Sequence, residues 1–192
     1  MNDTTWIEEF ASEIAESDVP DLWILNVDRN LLKKNDAEYF TQKTFGSFRC
    51  LQCKRAWSSS TVVILFRLTL KKHQRCGSAT MRTFKQECQS CNNATMQEPT
   101  ISNENKERVI GNVVSHIEKV FYGKQDVTDD RPPYIYGKLE GPHDEKHCEA
   151  CKFHLCDRQS TSAQDVAIGV GGLVSALAIG VGTLALMYIS KN

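Results

Sequence analysis

The 192-residue chain has no acidic residue between Thr41 and Gln86 and no charged residue between Val166 and Ile189. Nor does Met1 to Phe10 carry a basic leader or a small-residue cleavage site. Each absence excludes something. A polar, acidic start is not a secretory signal peptide, so the expectation is a domain that stays in the cytosol. The acid-free stretch of 46 residues holds ten bases: Lys43, Arg49, Lys54, Arg55, Arg67, Lys71, Lys72, Arg75, Arg82 and Lys85. Residues 1 to 40 hold ten acids against three bases. The formal net charge of −1 therefore conceals a strong segregation. So basic a segment calls for an acidic neighbour: the chain's own N-terminus, an RNA, lipid headgroups or a partner's tail. Also missing is any nucleophile and base constellation, and the expectation is that the chain is not an enzyme.

The uncharged run at 166–189 is 24 residues long. As a helix it would measure about 36 Å, more than the roughly 30 Å of hydrocarbon it has to cross. Its eleven Val, Leu and Ile residues outweigh the polar Ser175 and Thr183. A transmembrane helix is expected there, after a polar linker at 157–165 and before a short tail at 190–192. So short a tail implies tail-anchored insertion, which gives a single-pass membrane protein with a cytosolic N-terminal domain on the endoplasmic reticulum or plasma membrane. Gly172, Ala176 and Gly180 repeat every four residues, a small-residue stripe that permits a homodimer or pairing with a partner's helix.

Before the linker the pattern is α+β. Trp6, Ile7, Phe10 and Ile14 fall at helical spacing among acids, which predicts an amphipathic helix over about 4–17, ended by Pro20. Leu22 to Val27 reads as a short strand, and 31–40 is ambiguous. From Phe45 the chain turns β-rich, with strands expected at 45–49, 60–70 and 78–87 and a loop at 71–77; the last two suggest an antiparallel hairpin. Residues 104–122 place Val109, Ile110, Val113, Val114, Ile117, Val120 and Phe121 on one face of a second helix, capped by Ser102 or Asn103. The expected fold is a small antiparallel sheet with zinc knuckles and packed helices over 1–156, its zinc core at about 45–91, plus the membrane helix.

Eight cysteines in a cytosolic domain point to metal rather than to disulfides. Three pairs share one spacing: Cys50 and Cys53, Cys88 and Cys91, Cys148 and Cys151. A two-residue gap lets both thiolates of a tight turn face one ion with sulfur about 2.3 Å away. Structural zinc takes four ligands. The first two pairs complete one four-thiolate site in the manner of a zinc ribbon. The third needs Cys156 and either His143 or His147. Cys76 reads as a free thiol. A thioredoxin-like role for any pair lacks the βαβ setting such chemistry uses, and saturated sites leave no open position for catalysis, so two structural Zn2+ ions are expected. His73 and His116 read as ordinary surface residues. Arg49, Lys54, Arg55, Trp57, Lys71, Lys72 and Arg75 interleave bases with an aromatic, a composition suited to nucleic-acid contact.

Phe45-Gly-Ser-Phe-Arg-Cys50 with Cys53 and Ala56-Trp-Ser58, the strand Val62 to Phe66, Met81-Arg-Thr-Phe84 through Cys88 and Cys91, and His143-Asp144 before Cys148-Glu-Ala-Cys151 together resemble the receptor-transporting proteins and their three-CxxC zinc-binding domain. The resemblance covers about residues 6–156. It implies that His143, five residues before Cys148, is the ligand rather than His147. It also implies a non-enzymatic accessory protein that binds G-protein-coupled receptors of odorant or bitter-taste type and promotes their export to the cell surface. Some members bind RNA and act in antiviral defence, which is the alternative. The very short linker and Cys76 depart from the family pattern.

Overall fold

A computed structural model of the chain describes residues 3–124, 133–136 and 143–156. Helix α1 (Asp3–Glu16) leads into strand β1 (Leu22–Val27), and three strands follow: β2 (Glu38–Arg49), β3 (Ala56–Lys71) and β4 (Cys76–Thr83). Helix α2 (Asn103–Tyr122) and the one-turn α3 (Glu149–Lys152) complete the described part, which lies within one compact unit. The linker, the expected span at 166–189, its tail and the Gly172, Ala176, Gly180 stripe lie outside the described residues. Among the described residues no helix is long and apolar enough to cross a membrane.

The sheet runs β1-β4-β3-β2. The β2/β3 and β3/β4 pairs are antiparallel, but β1 pairs parallel to β4, so the sheet is mixed and not antiparallel throughout. Side-chain alternation has a period of two in either direction and could not reveal this. Strand β2 begins at Glu38, seven residues before the expected start, because Tyr39 to Thr44 continue the ladder against Val62 to Arg67. Strand β4 ends at Thr83, not at 87; Phe84 to Cys88 leave the sheet for the metal centres. The expected loop at 71–77 is a single 3-10 turn, Lys72–Gln74, with Arg75 in the left-handed region at φ 50°.

Helix α1 seats Trp6 and Phe10, one turn apart, in the main core. Helix α2 opens at Ser102, whose hydroxyl accepts from the Asn105 amide, and closes at Gly123 in the left-handed conformation. Its buried stripe of Val109, Ile110, Val113, Val114 and Ile117 packs with α1 over Val62, Ile64, Phe66 and Leu68 of β3. Fully burying each such side chain contributes about 1.5–3 kcal/mol. The Trp23 ring of β1 lies flat on Gly77 of β4, where an added Cβ would sit 2.2 Å from the indole. His116 is not a plain surface residue: it stacks on Phe40 at 4.1 Å and meets Glu38 at 2.9 Å.

The opposite face of β3 has an apolar centre. Val63 and Leu65 there pack with Leu31, Phe84, Cys148 and Ala150. The last cysteine motif thus packs on that face as part of a small second core.

Candidate metal centres

Six sulfurs from three CxxC turns, one further cysteine and one histidine converge into two clusters. Cys50, Cys53, Cys88 and Cys91 form the first; His143, Cys148, Cys151 and Cys156 form the second, with all donor atoms of each within 4.8 Å of one another. His147 is in neither; its Nδ1 meets Asp144 at 2.6 Å. Cys76 stands apart as a free thiol beside the Gly77 carbonyl.

The first cluster is built by two turns. Lys54 adopts φ 64°, which brings its amide back to the Cys50 carbonyl at 3.0 Å while the Cys50 amide donates to Arg55 at 2.9 Å. Across the site, Cys50 Sγ lies 3.8 Å from Cys91 Sγ and Cys53 Sγ 3.7 Å from Cys88 Sγ. A tetrahedron of metal–sulfur bonds about 2.3 Å long has edges of about 3.8 Å. The donors fit zinc in number, kind and spacing.

In the second cluster His143 Nε2 lies 3.2 Å from Cys151 Sγ and 3.8 Å from Cys156 Sγ, and Cys148 Sγ lies 3.9 Å from Cys156 Sγ. A nitrogen–sulfur edge around zinc is about 3.6 Å, so a three-thiolate, one-imidazole set fits as well.

Ionisation follows the same geometry. The Cys53 amide pulls the Cys50 thiol down to about 7, whereas hydrogen bonding with Cys53, burial and its other sulfur neighbours push Cys91 up to about 12. Hydrogen bonds from Cys156 and then His143 pull Cys148 down to about 4 against its burial. Burial and the Cys148 charge push Cys151 up to about 11. Hydrogen bonding with Cys148 raises His143 above its ordinary value. In each cluster one thiol is thus pulled down while a neighbouring one, Cys91 or Cys151, is pushed up. A divalent cation bound there would favour the thiolate form of these sulfurs.

Residues around the ligands lock the centres to the sheet. Glu149, inside the third CxxC turn, accepts from Arg82 Nη2 at 2.7 Å and from the Lys85 amide at 2.8 Å. Arg82 is buried, donates also to the Leu31 carbonyl, and stacks its guanidinium on Phe84 and Phe153. Main-chain bonds join Glu87 to His147 at 2.8 Å and Glu149 to Lys85 at 3.0 Å. Gln89, between Cys88 and Cys91, donates to Asp144, the neighbour of His143. The segment from Lys85 to Cys91 therefore belongs to both centres. Sequence reading missed Arg82, Gln89 and Asp144 as supports, and Glu149 was visible only as an unassigned letter of the motif.

The residues singled out for nucleic-acid contact do not form one patch. Arg49, Lys54 and Arg55 are exposed at the first centre, while Lys71, Lys72 and Arg75 are exposed at the far end of β3. Sixteen residues of strand separate the two groups by about 50 Å. Arg75 pairs with Asp21 at 3.0 Å. Trp57 stacks on Phe48 at 5.3 Å and donates its indole N–H to Gln86, so its ring is already engaged.

A family profile described as a zinc-binding domain, of the three-CxxC zinc-ribbon type, matches residues 43–154. Receptor-transporting protein 4 of Homo sapiens is 35% identical over 156 residues, covering 79% of this chain and 63% of that protein. Receptor-transporting protein 2 of Mus musculus is 32% identical over 77% of this chain and 67% of its own length. Receptor-transporting protein 1 of Homo sapiens is 31% identical over 77% of this chain and 57% of its own. The chain thus spans about three fifths of the length of these curated relatives. No solved structure matches it. With both four-donor clusters assembled inside the matched zinc-binding segment, the chain belongs to the receptor-transporting protein family.

Proposed function

We propose that this chain is a non-catalytic, zinc-stabilised accessory protein that assists the passage of receptors to the cell surface, held to a membrane by the apolar run at 166–189. The observation that carries the reading is the pair of complete donor sets in a chain of this family. Four thiolate and imidazole donors saturate a tetrahedral ion and leave no position for water or substrate, which supports structural rather than catalytic metal. Zinc held this way couples the binding free energy to folding. The rigid product is a sheet with helices on one face and a metal-bound knuckle on the other. Nine residues span at most about 30 Å even when extended, so a domain anchored through 166–189 would have a receptor of the same membrane within reach.

The receptors proposed are G-protein-coupled, of odorant or taste type. RNA binding is the less favoured reading, because its cations fall into two distant groups.

Co-expression with a poorly exported odorant receptor tests the proposal. Surface receptor, counted on unpermeabilised cells, should rise with the wild-type chain and fall back with Cys148→Ser and Cys151→Ser together. No rise with the wild type overturns it. The orientation has its own check: Asn93 is exposed in an Asn-Ala-Thr sequon, so a glycan there would move the domain to the lumen.

A further inference from the structure

We infer that the first metal knuckle is a docking tip for an anionic lipid surface, with Leu51 entering the interface and Arg49, Lys54 and Arg55 meeting the headgroup phosphates. Leu51 is 71% exposed, more than any other large hydrophobic among the described residues. A single exposed leucine is ordinary on a soluble protein; its setting here is not. It occupies the apex of a two-residue turn between Cys50 and Cys53, so an ion held by those two thiolates would keep the side chain outward at no further conformational cost. Lys54 folds its Nζ onto the Leu51 carbonyl at 2.8 Å, which fixes a cation beside the apolar tip. Arg49 and Arg55 flank the turn and are exposed, and Arg55 reaches Ser90 of the facing knuckle at 2.5 Å.

Among the described residues none of these three cations is paired with a carboxylate, and the chain has no acid from Thr41 to Gln86. The facing turn, Cys88 to Met96, is uncharged. An apolar apex ringed by unpaired cations is complementary to a surface with an apolar interior and phosphates at its rim. A nucleic acid would satisfy the cations alone: it offers nothing to Leu51, and one face of the neighbouring Trp57 ring is already stacked on Phe48. The inference deepens the proposed function by adding a second membrane contact besides the apolar run.

The test is hydrogen–deuterium exchange on the zinc-loaded full chain with vesicles of phosphatidylcholine alone or with 30% phosphatidylserine, as an assay condition. It is read whether the chain inserts or stays soluble, so that failure of the anchor does not conceal the answer. Amides 51–55 should be protected on the anionic vesicles and not on the neutral ones. Leu51→Ser should reduce that protection about tenfold, and Lys54→Gln or Arg55→Gln about fivefold each, with two zinc ions per chain retained. Equal exchange on both vesicles, or protection unaffected by Leu51→Ser, overturns the inference. So does equal protection of the same amides by poly(U) without lipid. A chain that docks by its knuckle yet is washed off by carbonate retains the inference and removes the anchor.

Discussion

Replacing Glu149 by Ala strips the second metal centre of its tie to the sheet. The carboxylate meets Arg82 at 2.7 Å and the Lys85 amide at 2.8 Å, with the two side chains 15% and 8% exposed. Removing one partner of so enclosed a pair leaves the other charge without compensation, at about 3–5 kcal/mol. Residual exposure of Glu149 favours the lower end, about 3 kcal/mol. For a chain of this size each kcal/mol lowers Tm by about 2–4 °C, so a fall of about 6–12 °C is expected in thermal unfolding of the zinc-loaded protein. Glu149→Gln retains an acceptor for the Lys85 amide and should lose less. The double change Arg82→Met with Glu149→Leu removes both charges and should recover part of the loss, since Phe84 and Phe153 offer apolar surface while the Leu31 carbonyl and Lys85 amide lose their partners. A single-variant loss under about 1 kcal/mol, or a double variant as poor as the sum of the singles, would refute this account of the latch.

Gly77→Ala drives a methyl into the Trp23 ring at 2.2 Å, and overpacking of this kind costs about 1–3 kcal/mol or more; loss of the Trp23 emission maximum along with Tm checks it. Zinc affinity should rise with pH: without metal, Cys91 and Cys151 keep their protons up to about 12 and about 11, so binding at neutral pH must expel them and acid favours the free form. Calorimetry in buffers of different ionisation heat should register at least one proton released per site, and a pH-independent affinity would be the contrary result. Cys148→Ser should also speed zinc loss from the first centre, since Lys85 to Cys91 is shared; with cobalt in place of zinc, the four-thiolate band should decay faster in the variant, and an unchanged decay rate would show the centres to be independent.

What could be read from the sequence was what is local. A CxxC spacing fixes a turn and the direction of two sulfurs, so all six thiolates were identifiable without any tertiary information, and the stripe on α2 likewise announced its buried face except at Val120, which is 45% exposed. The choice of His143 over His147 rests on family resemblance alone, since both histidines lie close before Cys148; His143 is the one grouped with the three sulfurs of the second cluster. The parallel pairing of β1 was hidden because alternation has no direction. Arg82 and Glu149 lie 67 positions apart, and nothing in either neighbourhood marks them as partners. The basic residues read as one surface because they crowd together in sequence, whereas an unbroken β3 carries them to opposite ends.

The central claim is that two metal centres, each with four donors, hold this sheet and its knuckles together. Native mass spectrometry of the purified full chain in detergent, before and after strong chelator, tests it most directly. The account predicts two zinc ions per chain and a broad, highly charged distribution of unfolded protein once they are removed. One ion or none per chain, or a compact distribution that survives complete metal removal, would contradict it.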